Sequence, residues 1–203
     1  MSNTETGWFA VFQQQLSAMP LLEAIAVALA VAYVLLAARQ NIWCWLCAFV
    51  STALYSYIFW EVNLRFQVGL NVYYVAMAVY GFYQWHNGGG SERPVTRMTR
   101  LQHALMFSGT AILTMISVNV VQTYTEGHFV FADAFITVAS VLTTILVAHK
   151  KCENWLYWMA INAVACWLYW QVELYLTSIL FFAYIGLAVY GWMQWQSEKR
   201  ATE

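Results

Sequence analysis

The chain is a succession of long apolar segments separated by short polar breaks. Apolar residues run for about 20 positions at a time, the length that an α-helix needs to cross the hydrocarbon core of a bilayer. We predict seven such segments, at residues 19–38, 42–60, 66–85, 104–123, 129–148, 152–170 and 174–195. The one long break, residues 86–103, contains three consecutive glycines and Pro94. The pattern predicts an all-α membrane protein with seven transmembrane helices.

An internal repeat organises these segments. Shifting the chain by 110 residues makes 14 of the 41 positions in 45–85 identical, without a gap. The matched pairs include Trp45 with Trp155, Tyr80-Gly81 with Tyr190-Gly191, and Gln84-Trp85 with Gln194-Trp195. Segments one to three therefore match segments five to seven, and segment four is a linker. Because four helices separate the copies, both run in the same direction, as in the 3+1+3 parallel repeat of SWEET-like transporters.

The repeat divides the chain into five parts. These are a lead-in at 1–18, a first three-helix repeat at 19–85, a basic loop with the linker helix at 86–128, a second three-helix repeat at 129–196, and a tail at 197–203. The lead-in has no basic n-region or cleavage site of the signal-peptide type, and we interpret it as a short amphipathic segment.

Composition and charge support this organisation. Hydrophobic residues form 62% of the chain and charged residues 9%, whereas an ordinary globular protein has about 25% charged residues. Nine Lys and Arg nearly balance ten Asp and Glu, which leaves no basic face for nucleic acid. Eight of the nine basic residues fall on one side of the predicted topology, and Arg65 is alone on the other. The positive-inside rule therefore predicts an outside N-terminus and a cytoplasmic C-terminus.

Polar groups inside the predicted spans are the candidate binding residues, because such groups are costly in a bilayer and mark functional sites. Trp155, Trp158 and Asn162 fall on one helical face in segment six, together with Tyr169. Two indoles and an amide suit a flat heteroaromatic ligand through stacking and hydrogen bonds. The alternative interpretation places Trp155 in the interfacial aromatic belt and uses Asn162 to link helices.

Three more segments contribute candidates. Segment three has a polar face of Gln67, Asn71 and Tyr74, and the matching positions of segment seven are Thr177, Phe181 and Tyr184. Segment five has a polar stripe that begins with Asp133 and Thr137. Asp133 matches Glu23 of segment one, and either acid would attract a cationic cargo, bind a coupling proton or be solvated at the interface. Helix–helix contact is the alternative role for each polar face.

Motifs for hydrolysis or nucleotide binding are missing from the sequence. It has no GxSxG, HExxH or GxxxxGK[ST] pattern, and its four histidines all fall at segment ends or in loops. Cys44 and Cys47 form a CxxC inside an apolar segment without a second pair, so we interpret the cysteines as packing residues. We therefore expect neither an enzyme nor a resident metal or cofactor.

The segment that begins segment six is similar to a known family motif. The run Glu153-Asn154-Trp155-Leu156-Tyr157-Trp158-Met159-Ala160-Ile161-Asn162 resembles the ENWLxWxxxN motif of the PnuC family of bacterial vitamin transporters. Asn41-Ile42-Trp43-Cys44-Trp45 and the Tyr-Gly-aromatic endings of segments three and seven resemble that family as well. The resemblance extends from about residue 19 to 196.

This resemblance implies a seven-helix SWEET-like core, a homotrimer and an inner-membrane location. It also implies uptake of nicotinamide riboside or a related vitamin by facilitated diffusion, after which a cytoplasmic kinase traps the cargo. Trp155, Trp158 and Asn162 would contact the ring and its substituents, and the polar residues of segment three would contact the rest of the ligand. Asp133, Thr137 and Tyr184 complete the candidate site.

One departure from the family pattern bears on the cargo. Family members often read LYADxxLQ where this chain reads Leu64-Arg65-Phe66-Gln67-Val68-Gly69-Leu70-Asn71, so that Gln67 replaces an acid and Asn71 replaces a glutamine. Thiamine-carrying and riboflavin-carrying branches of the family exist. Nicotinamide riboside and thiamine are both flat cations that an aromatic cage would hold, and the neutral, larger riboflavin ranks third.

Two further functions remain open. A proton-coupled carrier would use Asp133 or Glu23 and would accumulate its cargo only while a proton gradient lasts. A membrane receptor would bind the vitamin without moving it.

Overall fold

The computed structural model describes residues 5–17, 19–61, 65–87, 94–123 and 129–202. Within them the chain forms eight α-helices: α1 (Glu5–Ser17), α2 (Leu21–Ala38), α3 (Cys44–Glu61), α4 (Arg65–His86), α5 (Arg100–Gln122), α6 (Val130–Ala148), α7 (Asn154–Gln171) and α8 (Tyr175–Thr202). Helices α2 to α8 correspond to the seven predicted segments. The predicted polar break at 126–128 and Arg93 of the predicted basic loop lie outside the described residues.

Among the helices of the described residues, four are long and apolar enough to cross a membrane: α2, α5, α6 and the Tyr175–Glu198 part of α8. The all-helical architecture is as predicted. Helices α4 and α7 carry amides such as Asn71 and Asn162, and α3, α4 and α7 all carry many aromatic side chains, which lowers their mean hydropathy. The count of seven spans therefore stays a prediction.

Large apolar side chains cover the outer surface of the chain. On α5 alone, exposed residues include Leu101, Leu105, Phe107, Ile112 and Ile116. A soluble monomer rarely exposes so continuous an apolar face, whereas lipid tails solvate it without cost. The buried positions are in contrast dominated by small residues such as Ala26, Ala37 and Ala165, which allow helices to approach closely.

The chain forms two compact units. One contains residues 1–17, 97–144 and 153–189, and the other contains residues 18–96, 145–152 and 190–203. We call the first the α7 unit, because it contains all of α7, and the second the α3 unit, because it contains all of α3.

In the α3 unit, α3 packs against both α2 and α4. The Ser51 hydroxyl donates to the carbonyl of Ala26 at 2.8 Å and fastens α3 to α2. The indole of Trp45 is 2% exposed, and its ring lies against the backbone of Gly81 so closely that a Cβ at Gly81 would overlap with it. Glycine at position 81 is thus required for this contact between α3 and α4.

In the α7 unit, hydrogen bonds join α1, α7 and α8. The Ser178 hydroxyl of α8 donates to the Cys166 carbonyl of α7 at 2.8 Å. Helix α1 docks on the turn between α7 and α8, where the Gln15 amide donates to the Glu173 carbonyl at 3.0 Å and accepts from the Leu176 N–H at 3.1 Å. The predicted amphipathic lead-in therefore contains a helix that satisfies backbone groups at this turn.

Candidate functional site

The predicted aromatic–amide face of α7 lies in the interior of the α7 unit. Trp155 is 3% exposed and Asn162 is 5% exposed, while Trp158 is half-buried. Leu156 and Trp167, on other faces of the same helix, are 44% and 49% exposed. An indole of the interfacial belt would point to lipid headgroups, so the burial of Trp155 argues against that alternative.

The amide of Asn162 is well suited to bind a ligand. The residue is almost completely buried, and its amide can both donate and accept hydrogen bonds. A ligand that enters this face could therefore exchange hydrogen bonds with both polar atoms of Asn162.

Other residues of the same motif hold α7 in place. A carboxylate oxygen of Glu153 accepts the backbone N–H of Met98 at 2.9 Å, which ties the segment before α5 to the start of α7. One turn further on, the Tyr157 hydroxyl is 2.7 Å from Nδ1 of His103 on α5. Glu153 and Tyr157, which do not lie on the Trp155 face, thus position the helix. The motif alone did not indicate this role.

The candidates on α6 belong to the α7 unit as well. Asp133 in the first turn of α6 is exposed and Thr137 is half-buried, whereas Ser140 and Thr144 are buried. The Thr144 hydroxyl donates to the Ser140 carbonyl of its own helix at 2.8 Å. Asp133 and Thr137 are therefore the members of the predicted polar stripe that remain open to a ligand or to solvent.

On α8 the candidate Tyr184 is half-buried at the end of an aromatic row. Its ring meets the ring of Phe181 edge-on at 5.9 Å, and Phe181 stacks on Tyr169 of α7 at 5.2 Å. Phe181, which takes the place of Asn71 in the second copy, is thus a packing residue between α7 and α8.

Three candidates lie in the α3 unit, on α4. Gln67 and Tyr74 are half-buried and Asn71 is 7% exposed. The Asn71 amide nitrogen donates to the Gln67 carbonyl at 2.9 Å. Because only the nitrogen can donate to a carbonyl, this bond leaves the amide oxygen of Asn71 as the group offered to a ligand. We predict that one ligand contacts both these three residues of α4 and the six candidates of the α7 unit.

The described residues include no group of three or more His, Cys, Asp or Glu side chains placed to hold a metal ion. The four cysteines are free thiols, of which Cys44 and Cys152 are buried. The arrangement offers aromatic faces, amides and hydroxyls, which bind a small organic molecule by stacking and hydrogen bonds.

Comparison with known proteins gives a consistent result. The family model of the nicotinamide mononucleotide transporter matches residues 20–197. The chain is 22% identical to the nicotinamide riboside transporter PnuC of Escherichia coli K12 over 178 residues, which cover 74% of each protein. It is also 22% identical to the riboflavin/roseoflavin transporter RibM of Streptomyces davaonensis over 167 residues, covering 80% of this chain and 78% of that protein.

A solved structure is similar over the whole chain. The crystal structure of the vitamin B3 transporter PnuC superposes with a TM-score of 0.72 at 18% sequence identity, covering 100% of this chain and 94% of that one. At this identity the match shows the fold.

Proposed function

Because the chain belongs to the nicotinamide mononucleotide transporter family, as the motif in α7 predicted, we propose that it carries a cationic B-vitamin, nicotinamide riboside or thiamine, across the bacterial inner membrane. We propose facilitated diffusion by alternating access, with trapping of the cargo by a cytoplasmic kinase. The relatives named for nicotinamide riboside and for riboflavin support a vitamin as cargo.

The observation that carries the proposal is the buried face of Trp155, Trp158 and Asn162. It combines two indoles with an amide that is almost completely buried. Indole faces attract a flat cation by stacking and by cation–π interaction. The amide would exchange hydrogen bonds with the polar substituents of that cation. This chemistry fits a pyridinium or thiazolium ring better than a sugar or an ion.

We assign the rest of the site by the same reasoning. The Asn71 oxygen, with Gln67 and Tyr74, would accept hydrogen bonds from the hydroxyl or amino groups of the cargo. Asp133 would attract its positive charge, and Thr137 and Tyr184 would complete the polar lining.

The proposed transport mechanism uses a seven-span, SWEET-like core with a parallel repeat. Two hydrogen bonds related by the shift of 110 residues support the repeat: the Trp85 indole donates to the Val147 carbonyl, and the Trp195 indole donates to the Ala37 carbonyl. We further propose a homotrimer, an outside N-terminus and a cytoplasmic C-terminus, which follow from the family resemblance and from the distribution of Lys and Arg.

Binding to purified protein tests the cargo. Nicotinamide riboside, thiamine and riboflavin are titrated in parallel while tryptophan emission is recorded. A ligand that stacks on Trp155 should quench emission, and Trp155→Ala should lose most of the signal. The matched control is Trp167→Phe, which changes an exposed indole of the same helix. A Trp155→Ala variant that retains full quenching would remove the basis of the proposed site.

Flux into proteoliposomes tests the mechanism. Facilitated diffusion predicts that the vitamin equilibrates and never exceeds its outside concentration without a kinase. Accumulation that stops when a proton ionophore is added would instead establish proton coupling, for which Asp133 and Glu23 are the candidates. Tight binding without flux would identify a receptor.

A further inference from the structure

One end of the α3 unit contains three side-chain pairs, each of which joins the first repeat to the second. The Tyr80 hydroxyl is 3.0 Å from Nε2 of His149, Nε of Arg39 is 3.5 Å from the Tyr190 hydroxyl, and Nζ of Lys150 donates to Oε1 of Gln40 at 2.9 Å. We call these six residues the end clasp. The end that they occupy is the one predicted to face the cytoplasm.

The end clasp follows the shift of 110 residues. Tyr80 and Tyr190 are equivalent positions, and so are Arg39 and His149. Each tyrosine therefore reaches from the last helix of its own copy to the end of the first helix of the other copy. The third pair joins Gln40 to its own equivalent, Lys150.

A pair of tryptophans lies next to the end clasp and also joins the two copies. The rings of Trp85 and Trp195, again equivalent positions, are 6.2 Å apart. Their indole nitrogens donate to Val147 at 3.3 Å and to Ala37 at 3.0 Å. Trp85 is 7% exposed and Trp195 is 0% exposed, so both rings are buried beside the end clasp in the present conformation.

The backbone at the third pair is held in an unfavourable conformation. Gln40 and Lys150 have φ values of 53° and 49°, in the left-handed region that favours glycine. The side chains of both Gln40 and Lys150 also make further contacts. Lys150 is 2% exposed and its ammonium lies 4.7 Å from the ring centre of Trp85, while the Gln40 amide also donates to Glu198 of α8. Both residues end their helices, since the N–H groups of the next residues, Asn41 and Lys151, donate to the carbonyls of Leu36 and Leu146 at 2.9 Å.

Transport by alternating access requires contacts that hold one end shut and then separate. The three side-chain pairs of the end clasp are short-ranged and polar, and each of these side chains has water as an alternative partner once the pairs part. We propose that the end clasp is the gate of the cytoplasmic end, closed in this conformation, and that its separation releases the cargo. This inference rests on the proposed function.

The test removes the two tyrosine hydroxyls and measures the opening of this end. Free thiols lie beside the clasp: Cys44 and Cys152 are 0% and 1% exposed. Their reaction with a bulky maleimide, resolved by peptide mass spectrometry, reports opening, and Cys166 in the α7 unit serves as the internal reference. One hydrogen bond contributes enough to change an opening equilibrium about fivefold. We therefore expect Tyr80→Phe to speed labelling of Cys44 and Cys152 about fivefold relative to Cys166.

The variants form a graded series. Tyr190→Phe removes the longer contact and should have a smaller effect, about twofold, while the double variant should exceed either one. Tyr83→Phe, a 60% exposed tyrosine on the same helix, is the matched control and should label like the unchanged protein. Lys150→Met, which loses the bond to Gln40 while keeping an unbranched side chain, should also speed labelling.

The outcomes separate the gate from the proposed function. Faster labelling of Cys44 and Cys152 with an unchanged vitamin affinity supports the gate. Labelling rates that remain unchanged in Tyr80→Phe, in the double variant and in Lys150→Met would overturn it. Equal acceleration at Cys166 would also overturn it, because that result indicates general loosening of the fold. A protein that transports no vitamin would refute the proposed function alone, since labelling does not depend on the cargo.

Discussion

The first residue of the α7 motif offers a sharp prediction, because the structure gives it a positioning role. Glu153 is 8% exposed and its carboxylate accepts the N–H of Met98 at 2.9 Å. A hydrogen bond to a charged group contributes about 1.5–3 kcal/mol, and its loss leaves a buried donor without a partner. We expect Glu153→Ala to destabilise the protein by at least this amount.

This free energy converts into a measurable change. For a chain of about 200 residues, 1 kcal/mol changes the melting temperature by roughly 2–4 °C. The expected decrease for Glu153→Ala is therefore about 3–12 °C. Glu153→Gln keeps an acceptor oxygen but loses the charge, so it should recover about half of the decrease.

The assay compares thermal unfolding in detergent with vitamin affinity from tryptophan quenching. Glu61→Ala, at the exposed end of α3, is the control and should leave both quantities unchanged. At temperatures where the variant is folded, Glu153→Ala should bind the vitamin within about threefold of the unchanged protein. An affinity lowered more than tenfold at an unchanged melting temperature would refute the reasoning and would place Glu153 among the ligand contacts.

Three further predictions concern other helices. Gly81→Ala forces a Cβ into the Trp45 ring and should cost about 1–3 kcal/mol by overpacking, seen as a lower melting temperature, whereas Gly69→Ala, with open space around it, should not. Gln15→Ala removes both bonds between α1 and the α7–α8 turn, so hydrogen exchange should quicken in residues 5–17 while vitamin affinity is unchanged. Asn71→Gln restores the family residue and should raise the affinity for nicotinamide riboside relative to thiamine in parallel titrations; an unchanged ratio would contradict a role for Asn71 in cargo choice.

Hydropathy located the helices well and their ends less well. The predicted segments 42–60 and 152–170 lie within two residues of α3 and α7 at both ends, because the polar breaks there are also helix breaks. Helix α5 instead begins at Arg100, four residues before the predicted segment, after a capping box in which Thr99 and Gln102 exchange hydrogen bonds. The Thr-x-x-Gln pattern was visible in the sequence. Helix α8 continues to Thr202, since a helix does not have to stop where it leaves an apolar environment.

The candidate site was predictable where it depends on helical periodicity. The Trp155 face of α7 follows from spacing alone, and its burial agrees with that prediction. The contacts of Glu153 and Tyr157 were not predictable, because they join residues 54 and 55 positions apart. The pairing in the end clasp had a signal in the sequence that hydropathy does not detect. The shift that aligns Tyr80 with Tyr190 also aligns Arg39 with His149.

In the proposed site, the two copies of the repeat would contribute ligand groups from different helices. In the second copy α7 offers Trp155, Trp158 and Asn162, while Phe181 of α8 is committed to packing. In the first copy the positions equivalent to Trp155 and Asn162 make contacts within the α3 unit. The Trp45 ring packs against Gly81, and the Thr52 hydroxyl donates to the carbonyl of its own helix at Ala48 at 2.8 Å.

In the proposed site the first copy would instead contribute polar groups from α4, through Gln67 and the amide oxygen of Asn71, because the Asn71 nitrogen donates to the Gln67 carbonyl. A symmetric pair of bundles would present the same groups twice and would suit a symmetric ligand. The proposed site would combine indoles and an amide from one copy with hydrogen-bond acceptors from the other. We therefore expect a cargo with a flat ring at one end and hydroxyl or amino groups at the other, a shape that nicotinamide riboside and thiamine share.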